Sequence, residues 1–142
     1  MRLSAKVEYA SLAVLELAKQ WDSENPVCVR SICSSHNIPS QFLVQILLQL
    51  KGAGLVTSTR GAAGGYQLIK SPDDVTLGEV MAIVDGQEEE IRSATSSESP
   101  ASRVLIGAWR EVAAVEREML YSLTFAELTN RVRRQAENMY YI

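Results

Sequence analysis

Apolar residues recur at helical spacing at the start of the chain. Between Ser4 and Trp21 they fall at positions 7, 10, 14, 18 and 21, the three-and-four spacing of one helix face. Further leucines widen this face, so the pattern predicts an amphipathic or largely buried helix. Residues 21–26 then bring together the polar residues and the proline that end a helix and form a loop.

A short helix, a turn and a second helix are predicted next. Residues 30–36 favour a short helix with Ile32 and Cys33 facing inward, and a turn follows it. Pro39 suits the first turn of the second helix, over 39–52, because the N–H that proline lacks would have no partner there. The inner arc of this second helix consists of Leu43, Ile46, Leu47 and Leu50.

The outer face of the second helix is polar and carries Gln41 and Gln45. Two short helices joined by a tight turn form the helix-turn-helix plan, in which the second helix enters the major groove of DNA. The same succession of helices also occurs in all-α proteins that bind no DNA. The helices alone therefore leave both interpretations open.

The segment 54–70 favours the DNA-binding interpretation. Two β-branched runs flank a glycine-rich turn that carries a single charge, Arg60, and this pattern predicts a β-hairpin. Residues 27–29 form a short extended piece that could add a third small strand. A helix-turn-helix followed at once by a hairpin is the winged helix-turn-helix arrangement, which binds duplex DNA.

The C-terminal half predicts three further helices. Thr76 and Glu79 form a capping box that opens a short helix over 77–84, and a second capping box, Thr124 with Glu127, opens the last helix. Between them, residues 85–99 are acidic and serine-rich, which predicts a mobile surface loop. The tail of the last helix has no clear register.

The predicted helix over 100–123 is long and has an apolar stripe. The stripe includes Leu105, Trp109, Val112 and Met119. A helix of this length exceeds what a small winged domain needs for its own core, and pairing with a second copy of the chain is the economical explanation. These residues are therefore the predicted dimerisation contacts.

The chain is accordingly expected to be mainly α with a small β-hairpin wing. We divide it into a winged helix-turn-helix DNA-binding domain (1–84), a flexible acidic and serine-rich loop (85–99), and a dimerisation helix with a C-terminal helix (100–142). A length of 142 residues with 46% hydrophobic residues is enough for one sizeable core.

The net charge of −3 divides unevenly along the chain. Residues 1–71 carry seven Lys or Arg against four Asp or Glu (+3), and residues 72–142 carry seven against thirteen (−6). A basic N-terminal half is expected of a chain that contacts the phosphates of nucleic acid through that half only. No apolar run is long enough for a membrane span or a signal peptide, so a cytoplasmic location is expected.

Several segments together resemble the Rrf-two family of bacterial winged-helix regulators. They are the opening MRLSAKVEYA, the helix-to-strand passage QLKGAGLVTSTRG, the turn GAAGGYQL and the helix TLGEVMAIVDG. The resemblance covers residues 1 to about 131. It implies a homodimer in which the long helix crosses its partner and two winged modules bind a palindromic operator.

The resemblance also assigns DNA-contact roles by position. It implies that Arg2 touches the DNA backbone and that the outward part of the second helix and the wing tip approach the grooves. Glutamine can bond an adenine edge with both ends of its amide, and an arginine among glycines can enter a narrow minor groove. The predicted DNA-binding residues are Arg2, Gln41, Phe42, Gln45, Arg60, Gly61 and Gly64.

The chain departs from the family at the loop before the long helix. Family members that bind an iron–sulfur cluster place three cysteines there, because the iron needs thiolate ligands. Residues 91–99 contain no cysteine, so no cofactor and no metal are expected. Cys28 and Cys33, the two cysteines of the chain, lie in the helix-turn-helix region and are expected to be buried rather than reactive.

The function predicted is that of a sequence-specific dimeric transcription regulator, a repressor, with double-stranded DNA as its partner and an unknown small-molecule or protein effector. The alternative is a winged-helix scaffold for protein–protein contact that no longer binds DNA specifically. An enzyme is disfavoured, because the sequence has one histidine, His36, expected in a turn, and no catalytic motif.

Overall fold

The computed structural model of the protein describes residues 1–86, 89–96 and 98–140. In these ranges it contains six α-helices and one two-stranded sheet, which confirms the predicted mainly α fold with a small hairpin. The helices are α1 (Ala5–Lys19), α2 (Val29–His36), α3 (Ser40–Gly52), α4 (Leu77–Asp85), α5 (Pro100–Ser122) and α6 (Phe125–Met139), and the strands are β1 (Val56–Thr59) and β2 (Gly65–Leu68).

The first helix lies at the centre of the fold. Helix α1 contacts α2, α3, α4 and α6 as well as strand β2, and its alanines at 10 and 13 and its Val14 are fully buried. Small side chains at these positions allow the neighbouring helices to approach closely. The apolar face predicted from the sequence is therefore the surface around which the core is assembled.

The ends of the helices lie close to those predicted. Ser4 caps α1, its hydroxyl accepting a hydrogen bond from the Val7 N–H, and the helix ends at Lys19, two residues before Trp21. Pro39 is the N-cap of α3 rather than a residue of its first turn, because its backbone is extended. The turn before it depends on Asn37, whose backbone is left-handed (φ 54°, ψ 46°).

The starts of the two helices with predicted capping boxes lie side by side in space. The Thr76 and Thr124 hydroxyls cap α4 and α6, and the two threonines form an antiparallel bridge. Leu77 N–H donates to the Leu123 carbonyl at 3.0 Å, and Phe125 N–H donates to the Val75 carbonyl at 2.8 Å. Helix α6 therefore begins inside the core, where Phe125 is fully buried.

The C-terminal half differs in part from the prediction. The tail, for which no register is predicted, continues α6 as far as Met139. Residues 89–96, 98 and 99 of the predicted loop contain no helix or strand. Residues 87, 88 and 97 of that loop and residues 141 and 142 of the tail lie outside the described residues.

Candidate nucleic-acid interface

Helix α3 presents two chemically different faces. Leu43, Ile46, Leu47 and Leu50 are buried, as the sequence predicts, whereas Gln41 and Gln45 are exposed. Helix α2 and the turn at Asn37 position α3, with Ile32 and Ile38 buried beneath them. The helix-turn-helix geometry therefore leaves the N-terminal part of α3 open to solvent, where it can enter a groove.

The hairpin follows α3 directly and is fixed to it. Strands β1 and β2 pair antiparallel, with Val56 opposite Leu68 and Thr59 opposite Gly65. Lys51, in the last turn of α3, donates from its Nζ to the Ser58 hydroxyl of β1 at 2.7 Å. Val27 bridges Tyr66, but the extended piece predicted at 27–29 stops short of Val29, which begins α2.

Arg60 lies at the tip of the wing and is exposed. Among the described residues it forms no ion pair with any of the protein's own carboxylates. Its neighbour Gly61 has a positive φ of 108° and open space around its Cα, so the backbone can approach a ligand closely there. A charge held in this way is available to a phosphate or to a narrow minor groove.

Gly64 has a structural reason to be glycine. Its N–H donates to the Gly61 carbonyl at 3.0 Å, and a Cβ at position 64 would collide with the Thr59 carbonyl oxygen. The hairpin turn could therefore not close in the same way around a larger residue. A contact of Gly64 with DNA, predicted from the sequence, stays a prediction.

Phe42 has a partner within the protein. Its ring meets that of Tyr9 on α1 edge to face, with the centroids 5.7 Å apart, and 47% of the residue remains exposed. One side of Phe42 thus braces α3 against α1, while the other side is open beside the two glutamines. Arg2, the remaining predicted contact, is exposed just before the Ser4 cap.

Helix α5 has no buried residue over its whole length. The predicted stripe is exposed, with Leu105 at 60%, Trp109 and Val112 at 57% and Met119 at 56%, and Val104 and Val115 extend it at 74% and 67%. Single exposed apolar residues are common on protein surfaces, but a continuous stripe of this kind marks an interaction surface.

The cysteines and the histidine differ from the prediction. Cys28 is exposed at the N-cap of α2 rather than buried, and Cys33 is half-buried. Hydrogen bonding from the backbone and side chain of Ser31, with the charge of Arg30, lowers the pKa of the Cys28 thiol. His36 ends α2 and contacts Glu16 of α1 at 2.8 Å, a long-range pairing that no local pattern indicates.

Comparison with known proteins identifies the family. The profile of the Rrf2 family (the Rrf-two family), described as "Iron-dependent Transcriptional regulator", matches residues 3–131. The chain belongs to the Rrf2 family. It is similar to the HTH-type transcriptional regulator CymR of Bacillus subtilis, with 34% identity over 143 residues and full coverage of both chains. It is also 33% identical to IscR of Erwinia tasmaniensis, covering 92% of this chain and 79% of that one.

Solved structures of Rrf2 regulators share the fold. The structure of CymR, described as the global cysteine regulator of B. subtilis, superposes with a TM-score of 0.81 at 33% identity, covering 92% of this chain and 98% of that one. T. potens IscR superposes with a TM-score of 0.74 at 27% identity, covering 93% and 88%. The chain is therefore a DNA-binding transcriptional regulator of the winged helix-turn-helix type.

The family is described as iron-dependent, but the residues present do not fit an iron–sulfur cluster. Such a cluster needs several thiolates, and the chain has only Cys28 and Cys33, both in the helix-turn-helix region. Among the described residues, no three His, Cys, Asp or Glu side chains come together in a way that could hold a metal ion. No described helix is long and apolar enough to span a membrane.

Proposed function

We propose that this Rrf2 regulator is a homodimeric repressor that binds a palindromic operator through α3 and the wing, and that it works without an iron–sulfur cluster. The observation that carries the proposal is the pairing of an exposed glutamine-bearing helix with an exposed Arg60 on the wing tied to it. A scaffold that had lost DNA binding would have no need of an unpaired arginine at this point.

The two elements of the interface have different roles in this proposal. Gln41 and Gln45 meet base edges in the major groove, where an amide can donate to and accept from the same adenine. Arg60 enters the adjacent minor groove, and Gly61 lets the wing backbone come close to phosphate. Base contacts by α3 give sequence preference, while the wing and Arg2 supply sequence-independent affinity.

A second copy of the chain is the partner proposed for α5. The stripe defined above runs along a helix whose main packing partner among the described elements is α4, and none of the helix's residues is buried. Full burial of a large apolar side chain stabilises by roughly 1.5–3 kcal/mol, so pairing this stripe with its own copy would be strongly favourable. A twofold dimer would also present two winged modules to two operator half-sites.

In this proposal the regulator does not sense its signal through an iron–sulfur cluster. The donor set described above lacks the thiolates that would hold one, so repression is controlled by another effector. Exposed Cys28, with its lowered pKa, and the cavity described in the next subsection are two features of the described residues that could receive a signal.

Selection of genomic DNA fragments with the purified chain tests the proposed function. We expect the bound fragments to share one inverted repeat, and Arg60→Ala to weaken binding to it about tenfold. Arg103→Ala is the matched control, because it removes the same charge from exposed α5 and should leave the affinity unchanged. Enrichment without a shared sequence, or equal effects of the two substitutions, would contradict the proposal.

A further inference from the structure

A small cavity lies between α4 and the C-terminal part of α5, away from α3 and the wing. Its volume is about 270 Å³, and its wall includes Met81 and Asp85 from α4 and Arg117, Leu120 and Tyr121 from α5. None of the stripe residues named above lines it. By helical spacing, Arg117 and Tyr121 lie on a different side of α5 from Met119, whereas Leu120 lies three turns from Trp109 on nearly the same side.

The positive wall of the cavity is Arg117. Its guanidinium carbon lies 5.1 Å from the centroid of the Tyr121 ring, which holds the charge over the aromatic face. Gly78 makes this arrangement possible, because a Cβ there would lie only 2.6 Å from the Tyr121 ring. Within the described ranges, no carboxylate forms an ion pair with Arg117, so its guanidinium can still accept an anion.

The negative wall of the cavity is Asp85. Its two carboxylate oxygens accept long hydrogen bonds of 3.5 and 3.4 Å from the Ser4 hydroxyl. Bonds of this length are weak, and an ionised carboxylate can accept about four hydrogen bonds in all. An ammonium group would be a stronger, charge-assisted donor to the same oxygens.

We infer that this cavity binds a small zwitterion of the α-amino acid class, with its carboxylate on Arg117 and its ammonium on Asp85. Opposite charges on two walls of one cavity match the two charged groups of such a ligand. Met81, Leu120 and Tyr121 offer apolar surface to a short side chain. The volume is close to the lower end of the roughly 300–1,000 Å³ range of small-molecule pockets, which suits an amino acid better than a nucleotide.

The position of the cavity couples this ligand to DNA binding, an inference that rests on the proposed function. Asp85 contacts Ser4, which caps α1 and is separated by one residue from Arg2 at the predicted DNA backbone contact. A ligand that takes over Asp85 would loosen the Ser4 contact and change the position of the N-terminal segment. The opposite wall belongs to α5, so the same ligand contacts the proposed dimerisation helix.

Thermal unfolding of the full chain with each standard L-amino acid, without DNA, tests this inference. We expect one or a few of them to raise the unfolding midpoint by about 3 °C near saturation. For an amino acid that binds, such as L-valine, the matched controls are the analogues that lack one charge, here isovalerate and isobutylamine. Both should bind at least tenfold more weakly by calorimetry, since each leaves one wall without its partner.

Substitutions in the cavity wall provide the second test. Arg117→Gln and Asp85→Asn should each weaken calorimetric binding at least tenfold, while Arg103→Gln, also on α5, should leave it unchanged. Arg117 is exposed, so its substitution should preserve the fold, which circular dichroism checks. Absence of any midpoint shift across the amino acids, or equal binding of the analogue without an ammonium, would overturn the inference.

Binding of the ligand is measured without DNA, so the two proposals can fail separately. A chain that selects an operator but binds no amino acid would refute the cavity inference alone. A chain that binds an amino acid but selects no operator would refute the proposed function alone.

Discussion

Helices α3 and α5 both carry apolar stripes, but only the stripe of α3 is buried against other parts of the chain. Four leucine and isoleucine residues of α3 are buried against the rest of the winged module, whereas α5 buries none of its 23 residues. The apolar stripe of α3 is covered within the chain, whereas the stripe of α5 is exposed. An exposed stripe is what the proposed dimer requires of α5.

Breaking the α5 surface should have the largest effect on function. Trp109→Glu places a charge in the middle of the exposed stripe, and we expect it to convert the dimer into a monomer. Operator affinity should then fall on the order of 100-fold or more, because the second winged module no longer binds as part of the same molecule. Sedimentation and operator titration measure the two effects.

The same substitution should leave the winged module folded. Trp109 is exposed and is not part of the core cluster around α1, so the helical circular dichroism signal of Trp109→Glu should match that of the wild type. A variant that remained dimeric and bound the operator normally would show that α5 is not the assembly surface.

Two neighbouring leucines on α3 test whether the apolar stripe of this helix is buried in the core. Leu47 is fully buried and its neighbour Leu48 is 49% exposed. Leu47→Ala should lower the free energy of unfolding by about 2–5 kcal/mol, because it leaves a cavity in the core. Leu48→Ala should lower it by less than about 1 kcal/mol. Denaturant unfolding at one fixed protein concentration measures both, and equal losses would contradict the orientation of α3.

Gln45 tests whether the outward face of α3 gives sequence preference. Gln45→Ala should weaken binding to the selected operator about tenfold and leave binding to unrelated duplex DNA unchanged, because an amide contact to a base edge is worth about 1–3 kcal/mol of discrimination. Competition titrations with the two kinds of DNA measure this ratio. Equal weakening on both would make Gln45 a backbone contact.

The smallest expected effect is on stability and comes from the contact between Glu16 of α1 and His36 of α2. Burial raises the pKa of Glu16, but hydrogen bonds from Lys19 and His36 outweigh it and hold the pKa below its ordinary value of 4.5. The contribution of Glu16 to stability is therefore complete above pH 4.5 and is lost as the pH falls through the lowered pKa.

Glu16→Gln checks this pH dependence. The wild type should be more stable than the variant at neutral pH by less than about 1 kcal/mol, and the difference should shrink below pH 4.5. Unfolding curves of both chains at a series of pH values provide the measurement. A stability difference that grew as the pH fell would contradict the lowered pKa of Glu16.

Local patterns predicted most of the fold. The inner arc of α3, the glycine-rich hairpin and the threonine N-caps of α4 and α6 follow from spacing and turn chemistry, and each lies where the sequence places it. Local patterns could not predict contacts between segments that are far apart in the sequence. The bridge between Thr76 and Thr124 and the contact between His36 and Glu16 depend on how elements pack, which no sequence window contains.

The two elements of the candidate interface are consecutive along the chain, which is why the sequence could suggest it. Helix α3 bears Gln41 and Gln45, and the hairpin that follows it bears Arg60. Exposure of Cys28 was not predictable, because a small apolar residue is more often buried and only the packing around the start of α2 leaves this one outside.

The salt dependence of operator binding tests the central claim most directly. If α3 and the wing form one surface on DNA, the logarithm of the affinity should fall linearly with the logarithm of salt concentration, with a slope set by several phosphate contacts. Arg60→Ala should make that slope shallower by about one. Affinity independent of salt, or a slope unchanged by Arg60→Ala, would contradict the account.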